Sequence, residues 1–204
     1  MRLFIGLDLP PPLRQALAAL RGSVEHALWY PPESYHLTLQ FIGDMRERHR
    51  QDDLDLALTR LRGRDFSLRL AGAGVAPTPS GGSRLWLGAE RSDALMALQG
   101  RVESLVRREG VTCAKRRFAP HVSLGLLPVG DTDGAAHWLH MFSLSRFDPF
   151  EVSRVTLFRS HSGRTGPAYE ALAHYPLDIS RPHAEVEGLD PPFGHESGES
   201  SLYC

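Results

Sequence analysis

The chain has 204 residues, 42% hydrophobic and 23% charged, with a formal net charge of −1. That length suits one compact domain or two small, closely packed lobes, and the near-neutral charge argues against a long footprint on a nucleic-acid duplex. Two cysteines, Cys113 and Cys204, offer neither a disulfide framework nor a cysteine-based zinc site. All but Lys115 of the 23 basic residues are arginine. GC-rich coding and a need for guanidinium forks that recognise phosphate would both give this bias.

In chain order, "RLFIGLDL" (2–9) reads as a strand. The prolines at 10–12 end it and open a helix, in which Leu13, Ala16, Leu17 and Leu20 recur at helical spacing. This start is too short and too alternating for a signal peptide, and no apolar run is long enough to span a bilayer, so a cytoplasmic monomer with no membrane contact is expected. "WYPPESYHLTLQFIG" is a turn leading into a strand. Its alternation predicts Leu37, Leu39 and Phe41 on one face, with His36, Thr38 and Gln40 on the other. A charged amphipathic helix follows over 46–63, ending at Gly63.

Residues 65–75 alternate as a strand with Phe66, Leu68 and Leu70 inward, 76–83 form a loop, and "RLWLGAE" (84–90) is another strand. A helix spans 92–110, with Ser92 as N-cap and Gly110 closing it. The strand within "FAPHVSLGLL" (118–127) repeats the earlier pattern, with His121 and Ser123 standing as His36 and Thr38 do. A short helix around 134–143 and strands over 149–160 and 168–179 complete the reading. Beyond Ile179 the sequence is aperiodic and rich in Gly, Pro, Ser and Glu, which predicts a disordered tail over 180–204. Residues 1–179 are expected to form a single bilobal domain.

One strand with a histidine and a hydroxyl on its polar face is ordinary composition. Two such strands, each with an apolar opposite face, suggest two similar halves that bring both motifs to one cleft. Two imidazoles on opposite sides of a small space can act as acid and base near neutral pH, and the hydroxyls can donate to oxygens that gain charge. Phosphodiester hydrolysis needs that set: an attacking water loses a proton, a departing alkoxide gains one, and the displacement at phosphorus is roughly in line.

The motifs "HLTL" (36–39) and "HVSL" (121–124) resemble those of the 2H phosphoesterase superfamily. With "RLFIGLDLP", "PPESYHLTLQFIGD", "RLWLGAE", "RRFAPHVSLGLL" and "VTLFRSHSGRTGPAYEALAHYPL", the chain over about residues 2–178 is similar to RNA 2′,3′-cyclic phosphodiesterases of the LigT, or 2′-5′ RNA ligase, type. The resemblance implies an α+β fold of two pseudo-symmetric lobes, each an antiparallel sheet with outer helices, around a central cleft. It implies a substrate, an RNA 3′ end or nucleotide carrying a 2′,3′-cyclic phosphate, opened to a 2′-phosphate. It assigns His36 as proton donor, His121 as proton acceptor, and Thr38 and Ser123 to the phosphate oxygens, with no cofactor and no metal.

One position departs from the family pattern: Leu126, five residues after His121, stands where an arginine is usual. Arg116, Arg117 and Arg159 are candidate substitutes for that phosphate-clamping group, although each also reads as a surface charge. Phe118 is a candidate base-stacking residue, with core packing as the equal alternative. Trp29 and Trp86 are read as core. His137 and His140, at helical spacing, lack the acid or cysteine that would complete a metal set. Other 2H activities, including 2′-5′ ligation, and a module that only binds RNA termini remain the alternatives.

Overall fold

A computed structural model describes residues 2–112, 117–163, 166–178 and 184–185. Strand β1 (Arg2–Asp8) is followed by α1 (Pro11–Ala18), β2 (Leu28–Trp29) and β3 (His36–Asp44). Next come α2 (Arg48–Leu58), β4 (Phe66–Leu68), β5 (Leu70–Pro77), β6 (Ser83–Ala89) and α3 (Asp93–Arg108). The chain continues through β7 (His121–Leu127), α4 (Thr132–Phe142), β8 (Phe150–Val152), β9 (Arg154–Gly163), β10 (Gly166–Pro176) and β11 (Ala184–Glu185).

The antiparallel α+β class expected from the sequence is present, and the two halves share one nine-stranded sheet. Its main path runs β11-β10-β9-β1-β3-β7-β6-β5, with β2 added beside β7. The halves join where β3 meets β7, through the single pair Leu37–Val122. Both motif strands therefore lie side by side in the middle of the sheet.

Local chemistry explains most of the elements. Proline at the first turn opens α1, where a missing N–H costs nothing. The Ser92 side chain accepts from Leu95 N at 3.2 Å to cap α3, and Gly110, at φ +72°, supplies the left-handed residue that ends it. Leu95, Leu98, Val102 and Val106 of α3 and Leu54 and Leu58 of α2 are buried in one core with Leu3, Ile5, Leu7, Leu37, Leu39, Leu85, Leu87, Val122 and Leu124 of the sheet. One sheet face is thus apolar and covered by helices, which leaves the other for chemistry.

Four details differ from the expected pattern. Each long strand predicted over 65–75 and 149–160 breaks in two, because β4 and β8 leave the main sheet to pair with each other and bury Leu68, Phe150 and Val152. Trp29, expected as turn, joins Leu28 in β2, where the two pair with Gly125 and Leu126. The helix predicted over 46–63 is shorter, Arg48–Leu58. Phe41 is 67% exposed rather than apolar-side core: Ile5 pairs with Gln40 but Gly6 pairs with Thr38, so Leu39 is an extra residue that shifts the alternation. Phe41 consequently pairs with Phe4, their ring centroids 6.0 Å apart. The predicted tail lies outside the described residues, except that Ala184 and Glu185 pair with His174 and Ala173.

Candidate active site

Residues directly paired across antiparallel strands share a face. The pair Leu37–Val122 lies on the core side, so the antiparallel register continues to set His36 across from Ser123 and Thr38 across from His121. Extended over neighbouring strands, one row reads Asp8, His36, Ser123, Trp86, Gly74. The adjacent row reads His174, Thr156, Gly6, Thr38, His121, Gly88. Both motifs therefore stand together on one sheet face, related by a local twofold through the Leu37–Val122 pair.

The two imidazoles are oriented by the same device. Nδ1 of His36 lies 2.7 Å from the Ser34 carbonyl, and Nδ1 of His121 lies 2.7 Å from the Ala119 carbonyl. A carbonyl only accepts, so each Nδ1 carries the hydrogen, and each Nε2 is left for exchange of a proton. Thr38 Oγ1 sits 3.0 Å from His36 Nε2.

The surroundings of the two rings differ. His36 is enclosed by Phe4 (ring centroids 4.6 Å), Tyr169 (4.6 Å, edge-on) and Phe158 (5.6 Å). Phe4 and Phe158 stack on each other at 4.9 Å. Gly6 makes the enclosure possible: a Cβ there would meet the Leu37 carbonyl at 2.8 Å, Phe158 Cε2 at 3.4 Å and His36 Cδ2 at 3.6 Å. Burial among these rings pushes His36 down from 6.5 to about 4. The Ser34 bond and the Asp8 charge oppose that fall, and the nearby His121 adds to it. His121 instead has Trp86 beside it, ring centroids 5.7 Å apart. Burial also raises Tyr169 above its usual value, Tyr30 adding to the rise and the Arg84 charge opposing it.

Asp8, across from His36, is itself held in place. The buried Thr156 hydroxyl donates to Asp8 Oδ2 at 2.7 Å and lies 2.9 Å from His174 Nδ1, and Arg154 Nε stands 3.4 Å from Asp8 Oδ2.

Of the residues singled out from sequence, His36, Thr38, His121 and Ser123 come together. Arg159 does not join them: it pairs across from Leu3 on the core-side register, and Glu170 and His161 engage it. Phe118 is partly buried and packs against the main core, the alternative expected for it. Arg117 is exposed, and Arg116 lies outside the described residues. Trp29 packs against the core as expected, but Trp86 does not; its indole lies over Gly74 on the site face. Sequence reading missed Asp8, Phe4, Phe158, Tyr169 and Arg84. Each is placed by sheet register, which periodicity within one strand does not carry.

The model of the 2′-5′ RNA ligase superfamily matches residues 9–164, and the chain belongs to that superfamily. It is 33% identical over 201 residues to an RNA 2′,3′-cyclic phosphodiesterase of Thermus thermophilus, covering 92% of this chain and 96% of that protein. Against the protein of that name from Methanothermobacter thermautotrophicus it is 27% identical over 183 residues, covering 87% and 99%. A Geobacillus stearothermophilus protein of the same name is 27% identical over 179 residues, which cover 85% of this chain and 56% of that longer protein. Among solved structures, E. coli LigT complexed with 3′-AMP matches with a TM-score of 0.70 and 26% identity, covering 86% of this chain and 97% of that one. A crystal structure of a Thermus thermophilus protein matches with a TM-score of 0.68 and 27% identity, covering 87% and 98%. Among the described residues, no helix is long and apolar enough to cross a membrane.

Proposed function

We propose that this chain is an RNA 2′,3′-cyclic phosphodiesterase that opens the cyclic phosphate at an RNA 3′ end, or on a nucleotide, to a 2′-phosphate without a metal. The observation that carries the reading is the matched pair of imidazoles on one sheet face, each with Nδ1 fixed by a carbonyl two residues back. The relatives' names support the substrate class.

A water attacks phosphorus and gives its proton to Nε2 of His121. The P–O3′ bond breaks on the opposite side, and O3′ takes a proton from Nε2 of His36. The product is a 2′-phosphomonoester with a free 3′-hydroxyl. The Thr38 and Ser123 hydroxyls donate to the non-bridging oxygens, where charge accumulates. Residues 1–179 act as one domain in this scheme.

The donor role places a demand on His36. At about 4 it is neutral in the empty site at neutral pH, with a lone pair on Nε2. A cyclic phosphate is an anion, and its charge beside the ring offsets the desolvation, so substrate binding draws a proton onto His36. The same depression favours one second reading, in which His36 takes the proton of the water and His121 protonates O3′.

The test is incubation with a 2′,3′-cyclic nucleotide in EDTA, followed by chromatography of the product. A 2′-phosphate is expected. A 3′-phosphate would mean that the opposite ester bond breaks, and absence of any product would leave a module that only binds RNA termini. Loss of turnover in EDTA, restored by zinc, would overturn the metal-free scheme.

A further inference from the structure

We propose that Arg84 is the phosphate-clamping residue of this site, its guanidinium occupying the space in front of Leu126. The inference deepens the phosphodiesterase reading and rests on it for the identity of the reacting phosphate.

Register carries the argument. On β6, Arg84 and Trp86 are two residues apart and so project from the same face. Trp86 pairs with Ser123, and its ring stands 5.7 Å from that of His121, so this is the site face. On β7 an extra residue at Leu124–Gly125 shifts the alternation: Trp86 pairs with Ser123, whereas Leu85 pairs with Gly125 and Arg84 with Leu126. The shift turns Leu126 onto the site face, directly opposite Arg84. Gly125 permits the local geometry, since a Cβ there would meet the Leu28 carbonyl of β2 at 2.8 Å. A side chain at 84 and one at 126 thus emerge side by side, and the position that departs from the family pattern has a guanidinium as its cross-strand neighbour.

Two arginines of β9 are engaged elsewhere. Arg154 is committed to Asp8, and Arg159 is held by Glu170 on the other side of the sheet. Arg84 is half-buried and, among the described residues, has no carboxylate partner. Its charge reaches the Tyr169 hydroxyl, whose ring packs edge-on against His36. A half-buried arginine on the site face, without a carboxylate partner among the described residues and with its charge felt at Tyr169, is suited to a bidentate hold on phosphate oxygens.

The test uses the whole chain and two readouts. Inorganic phosphate is titrated while the His36 and His121 ring signals are followed by NMR, and kcat/KM is measured on a 2′,3′-cyclic mononucleotide, which carries no other phosphate. Arg84→Met should weaken phosphate binding and lower kcat/KM by about 10- to 100-fold. Arg84→Lys should recover only part, because the charge returns without the fork. Arg84→Met combined with Leu126→Arg should regain affinity, since the guanidinium has moved one strand over; no gain would overturn the cross-strand equivalence. Circular dichroism and urea unfolding of each variant separate a lost clamp from a lost fold. Unchanged phosphate affinity in Arg84→Met, or no phosphate binding by the wild-type protein, would overturn the proposal. A wild-type protein that binds phosphate but hydrolyses nothing would sink the phosphodiesterase reading, and the phosphate titration alone would then judge Arg84.

Discussion

Lowering the pH is the cleanest perturbation of the candidate site, because one of its two histidines is set far from its usual value. Burial among Phe4, Phe158 and Tyr169 brings His36 from 6.5 to about 4. Above about pH 6.5 the ring is neutral in both folded and unfolded chains, and it contributes no pH dependence. Between about 6.5 and 4 the unfolded chain binds a proton that the folded one refuses, so stability falls as the pH falls. Below about 4 both states are protonated, and this contribution levels off. The gap corresponds to about 3 kcal/mol in total. His36→Asn removes this group's contribution. Urea unfolding of both proteins at about pH 4.5 and pH 7 should therefore show a wild-type loss exceeding that of the variant by about 2 kcal/mol or more. An NMR titration of the histidine ring protons reads the same quantity directly. A His36 midpoint near 6.5, with identical pH dependence in the two proteins, would refute the burial argument.

Other perturbations probe the same arrangement. Tyr169→Ala opens the aromatic enclosure, so the His36 midpoint should rise towards 6.5 in the same NMR titration. Gly6→Ala places a methyl 2.8 Å from the Leu37 carbonyl, which should cost about 1–3 kcal/mol in urea unfolding and displace His36, lowering turnover. Gly74→Ala would put a Cβ 1.8 Å from Trp86 Cζ2, so the indole must leave its seat; altered tryptophan fluorescence with weakened turnover is expected. A cyclic substrate whose 3′ leaving atom is sulfur needs little protonation of that atom. If His36 is the donor, His36→Ala should lose far less rate on the thio substrate than on the oxygen one, whereas equal losses would favour the exchanged assignment.

Much of this molecule is legible in local sequence. The i, i+2 spacing of His36 with Thr38 and of His121 with Ser123 put the four groups on polar strand faces, and the structure sets those faces side by side. Ser92, Gly110 and the prolines at 10–12 marked helix ends through chemistry that acts within one turn. What was not legible depends on pairing between distant strands. Phe41 left the apolar face because one extra residue on β3 shifts its alternation against β1. Trp86 read as core because a tryptophan within an apolar run looks buried, yet its partners Ser123 and Gly74 put it on the site face. Arg159 alternated plausibly, but its opposition to Leu3 turns it away from His36. Arg84 carried no local signal, and only its pairing with Leu126 gives it meaning.

The most direct test of the account is turnover of a 2′,3′-cyclic nucleotide by His36→Ala, His121→Ala and the double variant, each shown to be folded. If the two rings serve one phosphorus atom as donor and acceptor, each single variant should lose about 100-fold or more in kcat, and the double should lose much less than the product of the two. A single variant that keeps the wild-type rate, or two losses that simply multiply, would contradict it.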